Sequence, residues 1–169
     1  MKKLLPLLAL SLPLSATTFE ANVELPQLDV AEYHAPYLAM WVQSSDRKTI
    51  KNLALWYDHD KAKGKGQEWL KDLRQWWRRS GRGLDMPAAA DAFTGATKTS
   101  GSYQLSFDSA KLGLTDLPAG EYKFYIEAVR EVGGREVLSV PFTLPADKAL
   151  TLTLQGKSEL GQVSLTVKP

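Results

Sequence analysis

The chain has 169 residues, 44% hydrophobic and 24% charged, the values of a globular protein long enough to bury a core without covalent staples. It has no cysteine, which excludes disulfides, thiolate metal sites, iron–sulfur clusters, C-x-x-C-H haem attachment and cysteine nucleophiles. The formal charge of +2 vanishes if Lys2 and Lys3 belong to a removed leader, since 21 basic residues become 19 against 19 acidic ones; a neutral chain argues against general nucleic-acid binding.

Residues 1–16 read as a signal peptide. Met1-Lys2-Lys3 is a positive start, Leu4 to Leu14 an apolar run, and Ser15-Ala16-Thr17 a small-residue exit, with cleavage near Ala16. The run is shorter than the roughly 20 residues a membrane span needs, and Pro6 and Pro13 count against a buried helix. The implied product is an exported protein, periplasmic in a Gram-negative cell, with 17–169 as a single domain.

The mature chain reads mostly as strands. Val23-Glu24-Leu25 starts one, and Tyr37–Val42 and Ile50–Trp56 suggest a pair joined by the polar stretch Ser44–Lys48. Leu53, Leu55 and Tyr57 share one parity while Ile50 and Trp56 take the other, so both faces are expected to be partly buried. Lys61 to Gly66 reads as a basic loop. The period then changes: Trp69, Leu70, Leu73, Trp76 and Trp77 mark one face of a helix over Gln67–Arg79, stopped by Gly81.

After a loop rich in Gly, Pro and Ala, period two returns. Ser102–Phe107, Glu121–Arg130, Val137–Leu144, Leu150–Leu154 and Val163–Val167 alternate or carry apolar β-formers, with Gly133-Gly134 as a hairpin signal. Seven or eight short strands with turns between them predict an all-β protein, an antiparallel immunoglobulin-like β-sandwich with one inserted α-helix.

The most specific stretch is Asp91-Ala92-Phe93-Thr94-Gly95-Ala96-Thr97-Lys98-Thr99. It resembles the flavinylation motif D-x-x-[S/T]-G-A-T-x-[S/T] of sodium-pumping quinone reductase subunits and related electron-transfer complexes. In those families an FAD:protein FMN transferase joins FMN through a phosphoester to the last threonine of the core. Carried over by position, the resemblance implies Thr97 as covalent acceptor, with Asp91, Thr94, Gly95, Ala96 and Thr99 around it. A threonine hydroxyl is a weak nucleophile that an enzyme must activate, and Gly95 and Ala96 leave room for that enzyme's approach. The alternative is a plain turn before a strand, with Asp91 and Thr94 bonding to the nearby backbone.

Several further motifs occur in fixed order: Pro36–Val42, Leu53–Trp56, Trp69–Arg78, Asp91–Tyr103, Pro118–Tyr122, Glu127–Glu131 and Gly133–Glu136. Over roughly Tyr33 to Thr143 they resemble the predicted periplasmic family called domain of unknown function 2271. Pro118-Ala119-Gly120-Glu121-Tyr122 is also similar to the immunoglobulin-like domain of flagellar hook-capping proteins, which bears on fold and not on function.

Other candidates carry less. Trp69, Trp76 and Trp77 suit either the core or the covering of an isoalloxazine ring. Arg74, Arg78, Arg79 and Arg82 suit either a solvated helix face or an anionic ligand. Asp58-His59-Asp60 are ligand types, but adjacent residues rarely converge on one ion and nothing fixes His34 near them, so a three-ligand zinc site is not expected. No Gly-x-Ser-x-Gly elbow is present, and Glu121, Glu127 and Glu131 read as outward strand residues. The expectation is an exported electron carrier with covalent FMN, partnered by the transferase and a membrane-bound oxidoreductase. The alternative is an immunoglobulin-like structural or ligand-binding module without cofactor.

Overall fold

Alternating apolar residues bury one face of a strand only if a second layer covers it. The computed structural model, which describes residues 17–61 and 64–169, does this with two sheets. The signal-peptide reading of 1–16 lies outside the described residues, as do Ala62 and Lys63 of the basic loop.

Among the described residues there are nine strands: β1 Thr18–Leu25, β2 Tyr37–Ser44, β3 Ile50–Tyr57, β4 Thr94–Ala96, β5 Gly101–Phe107, β6 Gly120–Val129, β7 Arg135–Leu144, β8 Leu150–Gln155 and β9 Gln162–Lys168. One sheet has the order β5-β1-β9-β8, the other β4-β3-β2-β6-β7. All pairings are antiparallel except β3–β4, which is parallel. That short edge strand is absent from the sequence reading, because three residues, Thr94-Gly95-Ala96, carry no period.

The main core lies between the sheets. Phe19, Ala21, Val23 and Leu25 of β1 and Val163, Leu165 and Val167 of β9 face Leu38, Met40, Val42, Phe124 and Ile126. One corner is pinned by Tyr122, whose hydroxyl donates to the Pro118 carbonyl at 2.8 Å. A tyrosine bonding back to the backbone just upstream is the corner device of immunoglobulin-like sandwiches.

The uneven parity of β3 has a cause. Met40 pairs with Ala54 but Trp41 pairs with Asn52, so Leu53 is the extra residue of a β-bulge. Leu53, Ala54 and Trp56 therefore all belong to the inter-sheet core, while Leu55 and Tyr57 face the opposite side. There they join Ala39, Trp41, Leu70, Leu73 and Trp76 in a second core under the helical segment.

That segment is broken where the sequence suggests one helix over Gln67–Arg79. It runs as a single turn, α1 Lys65–Glu68, a 3-10 turn at Trp69–Asp72, and α2 Arg74–Arg79. Leu73 interrupts it with φ −71° and ψ 68°, outside the helical region. A carboxylate from the sheet restarts the helix. Glu127, fully buried, accepts from the backbone N–H of Gln75 at 3.1 Å and of Trp76 at 2.7 Å. These amides open α2 and have no partner inside the helix.

Candidate functional site

The Asp91–Thr99 stretch follows the helical segment and returns the chain to the sheet. Ala88–Ala90 form a 3-10 turn, and the Phe93 N–H closes the next turn on the Ala90 carbonyl at 3.0 Å. The Phe93 carbonyl then accepts from the Leu55 N–H at 2.8 Å, which docks the chain on the free edge of β3. Parallel pairing sets Thr94 beside Leu55, Gly95 beside Trp56 and Ala96 beside Tyr57. Gly95 lies over the Trp56 indole, where a Cβ would stand 3.4 Å from Cδ1, an ordinary van der Waals contact.

Thr97 to Ser100 then cross from the edge of one sheet to the edge of the other. The crossing wraps an aromatic pair: Trp56 meets Tyr103 edge-on at 5.6 Å, and the Tyr103 hydroxyl donates to the Thr99 carbonyl at 2.8 Å. Ser100 Oγ donates to Gln27 Oε1 at 2.6 Å and anchors the far end.

Asp91, Ala96 and Thr99 are exposed, and Thr94, Gly95 and Thr97 are half-buried. Among the described residues, the Thr97 hydroxyl makes no hydrogen bond; the bonds here belong to Ser100 and Tyr103. The side chains of Asp91 and Thr94 make none either. The turn of the plain alternative is therefore present, without the side-chain bonds that would explain its residue types. Asp91 lies close enough to Tyr57 to act on it: burial, first, and then the Asp91 charge push that phenol up, against a hydrogen bond from Gln67. Beside the stretch, a groove of about 270 Å³ opens between the two sheet edges, with Trp56, Phe93, Thr94, Leu105, Phe107 and Lys111 among its walls.

The structure separates the other candidates. Trp76 is fully buried and donates its indole N–H to Asn52 Oδ1 at 2.9 Å, which makes it a core residue. Trp69 is 40% exposed, with the Lys61 ammonium 5.3 Å from its ring. Trp77 is half-buried and lines a groove with Arg74 and Arg78, while Arg79 lies with Gln75 on the next face. Among the described residues no three His, Asp or Glu side chains converge as a metal site. His59 rests against Tyr57 at 4.0 Å, and His34 beside Glu32 at 3.3 Å.

Glu127 does point away from the sandwich interior, as an outward strand residue should. The helical segment covers it there, and Arg135 Nε donates to it at 2.7 Å. Sequence reasoning misses this role, and that of Asn52, whose amide donates to Ser80 Oγ at 2.8 Å. Each is a polar residue beside an apolar stretch of an interior strand, Asn52 before Leu53–Trp56 in β3 and Glu127 between Ile126 and Ala128 in β6, which is the one signal available.

Comparison with known proteins gives one match. The model of a family described as predicted periplasmic protein (DUF2271) matches residues 18–162, which spans the whole helical segment and the Asp91–Thr99 stretch. No curated protein and no solved structure matches the chain.

Proposed function

The chain belongs to the DUF2271 family of predicted periplasmic proteins, and from that premise we propose that it is an electron carrier bearing FMN covalently on Thr97. The observation that carries this reading is the Thr97 hydroxyl, which makes no hydrogen bond among the described residues, at the rim of an edge-strand loop inside a stretch that resembles the flavinylation motif.

The residues fit the group in three respects. Thr97 offers an uncommitted nucleophilic oxygen. Ala96 and Thr99 are exposed on either side, so a second enzyme has backbone to read. The groove beside the loop sets Phe93, Leu105 and Phe107 next to the polar Ser106, Asp108 and Lys111, a mixed lining that offers a flavin both ring contact and hydrogen-bond partners.

In the attachment step a base of the transferase removes the Thr97 hydroxyl proton. Oγ1 then bonds to the FMN-side phosphorus of FAD as that phosphorus releases AMP, so the phosphate count balances. Asp91, Thr94 and Thr99 serve recognition by the transferase, and Gly95 and Ala96 leave room for its approach. Once attached, flavin supplies the redox chemistry, and the protein's part is to hold it and set its surroundings. A covalent bond also prevents loss of the cofactor outside the cytoplasm. The electron partner on this reading is a membrane-bound oxidoreductase.

Intact-mass spectrometry after co-expression with an FAD:protein FMN transferase tests the proposal. One FMN-sized adduct is expected on the wild type and none on Thr97→Ala, with in-gel flavin fluorescence following the same pattern. An adduct that persists on Thr97→Ala moves the acceptor elsewhere. A wild type that never gains mass leaves the cofactor-free binding module as the better reading.

A further inference from the structure

Away from the Asp91–Thr99 loop, the helical segment and the start of β7 build a second concavity. This groove, of about 410 Å³, is lined by Lys71, Arg74, Trp77, Arg78 and Arg135. Four of the five side chains are cationic and none is anionic. They come from three places in the fold: the 3-10 turn, α2 and the first residue of β7.

Two features of this cluster bear on a ligand. The first is convergence without compensation: Lys71, Arg74 and Arg78 share one groove and make no ion pair among the described residues, while Arg135 beside them is paired with Glu127. Arg74 and Arg78 stand four apart on α2, a spacing at which like charges repel, and Arg78 Nε is further tethered to the Arg74 carbonyl at 3.1 Å. The second is that one guanidinium is fixed in advance. Arg135 is held by its Nε to Glu127 at 2.7 Å and remains one-third exposed, at 33%. Glu127 also serves the Gln75 and Trp76 amides, so both of its oxygens are engaged beneath the groove.

We infer that this groove is a binding site for a phosphate-bearing ligand, with Arg74, Arg78 and Arg135 contacting the phosphate oxygens and Trp77 flanking whatever the phosphate is attached to. Guanidinium forks match phosphate oxygens in pairs, and Lys71 adds a movable point charge. A multiply charged anion relieves the repulsion among the three unpaired cations, Lys71, Arg74 and Arg78, next to the Glu127-paired Arg135; a single carboxylate does so only in part. The phosphate arrives either as a free anion or as part of an organic molecule, and Trp77 separates the two cases. The inference does not depend on the Thr97 reading.

Calorimetric titration of the flavin-free protein with inorganic pyrophosphate and with ADP, at about 50 mM salt where screening is modest, tests it. Saturable binding at one site is expected, weakened about tenfold or more in Arg74→Gln/Arg78→Gln, since charged hydrogen bonds are lost. Both arginines are exposed, so the fold should persist. Lys48→Gln/Lys111→Gln removes the same charge elsewhere and should change the affinity by no more than about twofold. Tighter binding of ADP with quenched tryptophan emission, abolished by Trp77→Leu, identifies an organic phosphate. Equal affinity for both probes identifies the phosphate group alone. Absence of saturation with either probe, or an equal loss in the lysine pair, overturns the proposal.

Discussion

The two faces of the five-stranded sheet are held by different means. The inner face carries Leu38, Met40, Val42, Phe124 and Ile126 and meets the other sheet mainly through apolar contact, with polar clamps at one end where Glu136 and Arg130 hold the β8–β9 turn. The outer face, with Ala39, Trp41, Leu55 and Tyr57, is covered by a helical segment of short pieces. Neither α1 nor α2 has a side-chain N-cap bond, and α2 has six residues, far too few to be stable in isolation. Apolar burial by Leu70, Leu73 and Trp76 supplies adhesion. Orientation comes from polar anchors rising out of the sheet: Glu127 under the start of α2, and Asn52 between Trp76 and Ser80. A sheet can therefore make a sandwich by alternation on one side while its other side needs specific hydrogen bonds to fix a cover in register.

The sharpest way to break this distinction is Glu127→Ala. It leaves two helix amides without their acceptor, at about 1–3 kcal/mol for each buried group left unsatisfied, and releases the partly exposed Arg135 guanidinium. The damage should be local. Hydrogen exchange is expected to accelerate over residues 74–83, while β8 and β9 stay protected. Uniform acceleration throughout the chain would show that the two cores are one cooperative unit. Glu127→Gln, which keeps the shape and one acceptor, should fall between Ala and wild type.

Gly81→Ala probes the same cover more gently. An added Cβ would lie 2.5 Å from Trp76 Cζ3 and 2.8 Å from two further ring atoms. The indole is held at its other end by Asn52, so it has to tilt or the turn has to open. Overpacking of this kind costs about 1–3 kcal/mol. A red-shifted tryptophan emission together with the lost stability is expected; an unchanged melting midpoint would show that the cover is soft.

This division also explains what the sequence made legible. Strands such as Glu121–Arg130 and Val163–Val167 announce themselves because one face is apolar, so the sandwich follows from period two. The helical face is readable for the same reason through Leu70, Leu73 and Trp76. The break at Leu73 is not, because its cause, Glu127, is more than fifty positions away. The bulge at Leu53 shows only as disturbed parity. At the candidate site, the residues from Asp91 to Thr99 are visible as a motif, but not that Thr94–Ala96 would add a parallel strand to β3. Nor does linear order show that Arg135 joins Lys71, Arg74 and Arg78. Convergence of distant residues leaves no trace in local composition.

A smaller, pH-gated effect sharpens the comparison at the other end of the sandwich. Glu136 of β7 accepts from the backbone N–H groups of Lys157, Ser158, Glu159 and Leu160 at 2.7–3.1 Å, clamping the β8–β9 turn to the five-stranded sheet. Burial pushes this carboxyl up, but the hydrogen bonds from Lys157, Leu160 and Ser158 outweigh it, leaving the group below its ordinary 4.5. A lowered folded value means stabilisation that is full above 4.5 and is lost as pH falls through the folded value. Amide exchange of residues 157–160, normalised for intrinsic rates, should show less protection at about pH 3 than at about pH 6. Glu136→Gln should flatten that difference. A pH response that survives the substitution would assign it to another carboxylate.

The smallest stability effect belongs to Thr97, and its smallness is the point. Its side chain is half-buried at the rim and takes part in no hydrogen bond among the described residues. Thr97→Ala therefore removes a methyl and a hydroxyl that the folded state hardly uses, and should shift stability by less than about 0.5 kcal/mol. The neighbouring Trp56→Ala, in contrast, opens a cavity beneath Gly95 and should cost about 3–5 kcal/mol. Chemical denaturation of both variants beside wild type, without flavin, measures the two on one scale. If Thr97→Ala is nearly silent in stability yet blocks the FMN adduct, the loss is one of chemistry at the hydroxyl. If it destabilises the chain as Trp56→Ala does, the threonine is part of the loop's packing, and loss of the adduct would follow from a disordered loop instead. A residue kept for reaction rather than for folding has to pass the first outcome.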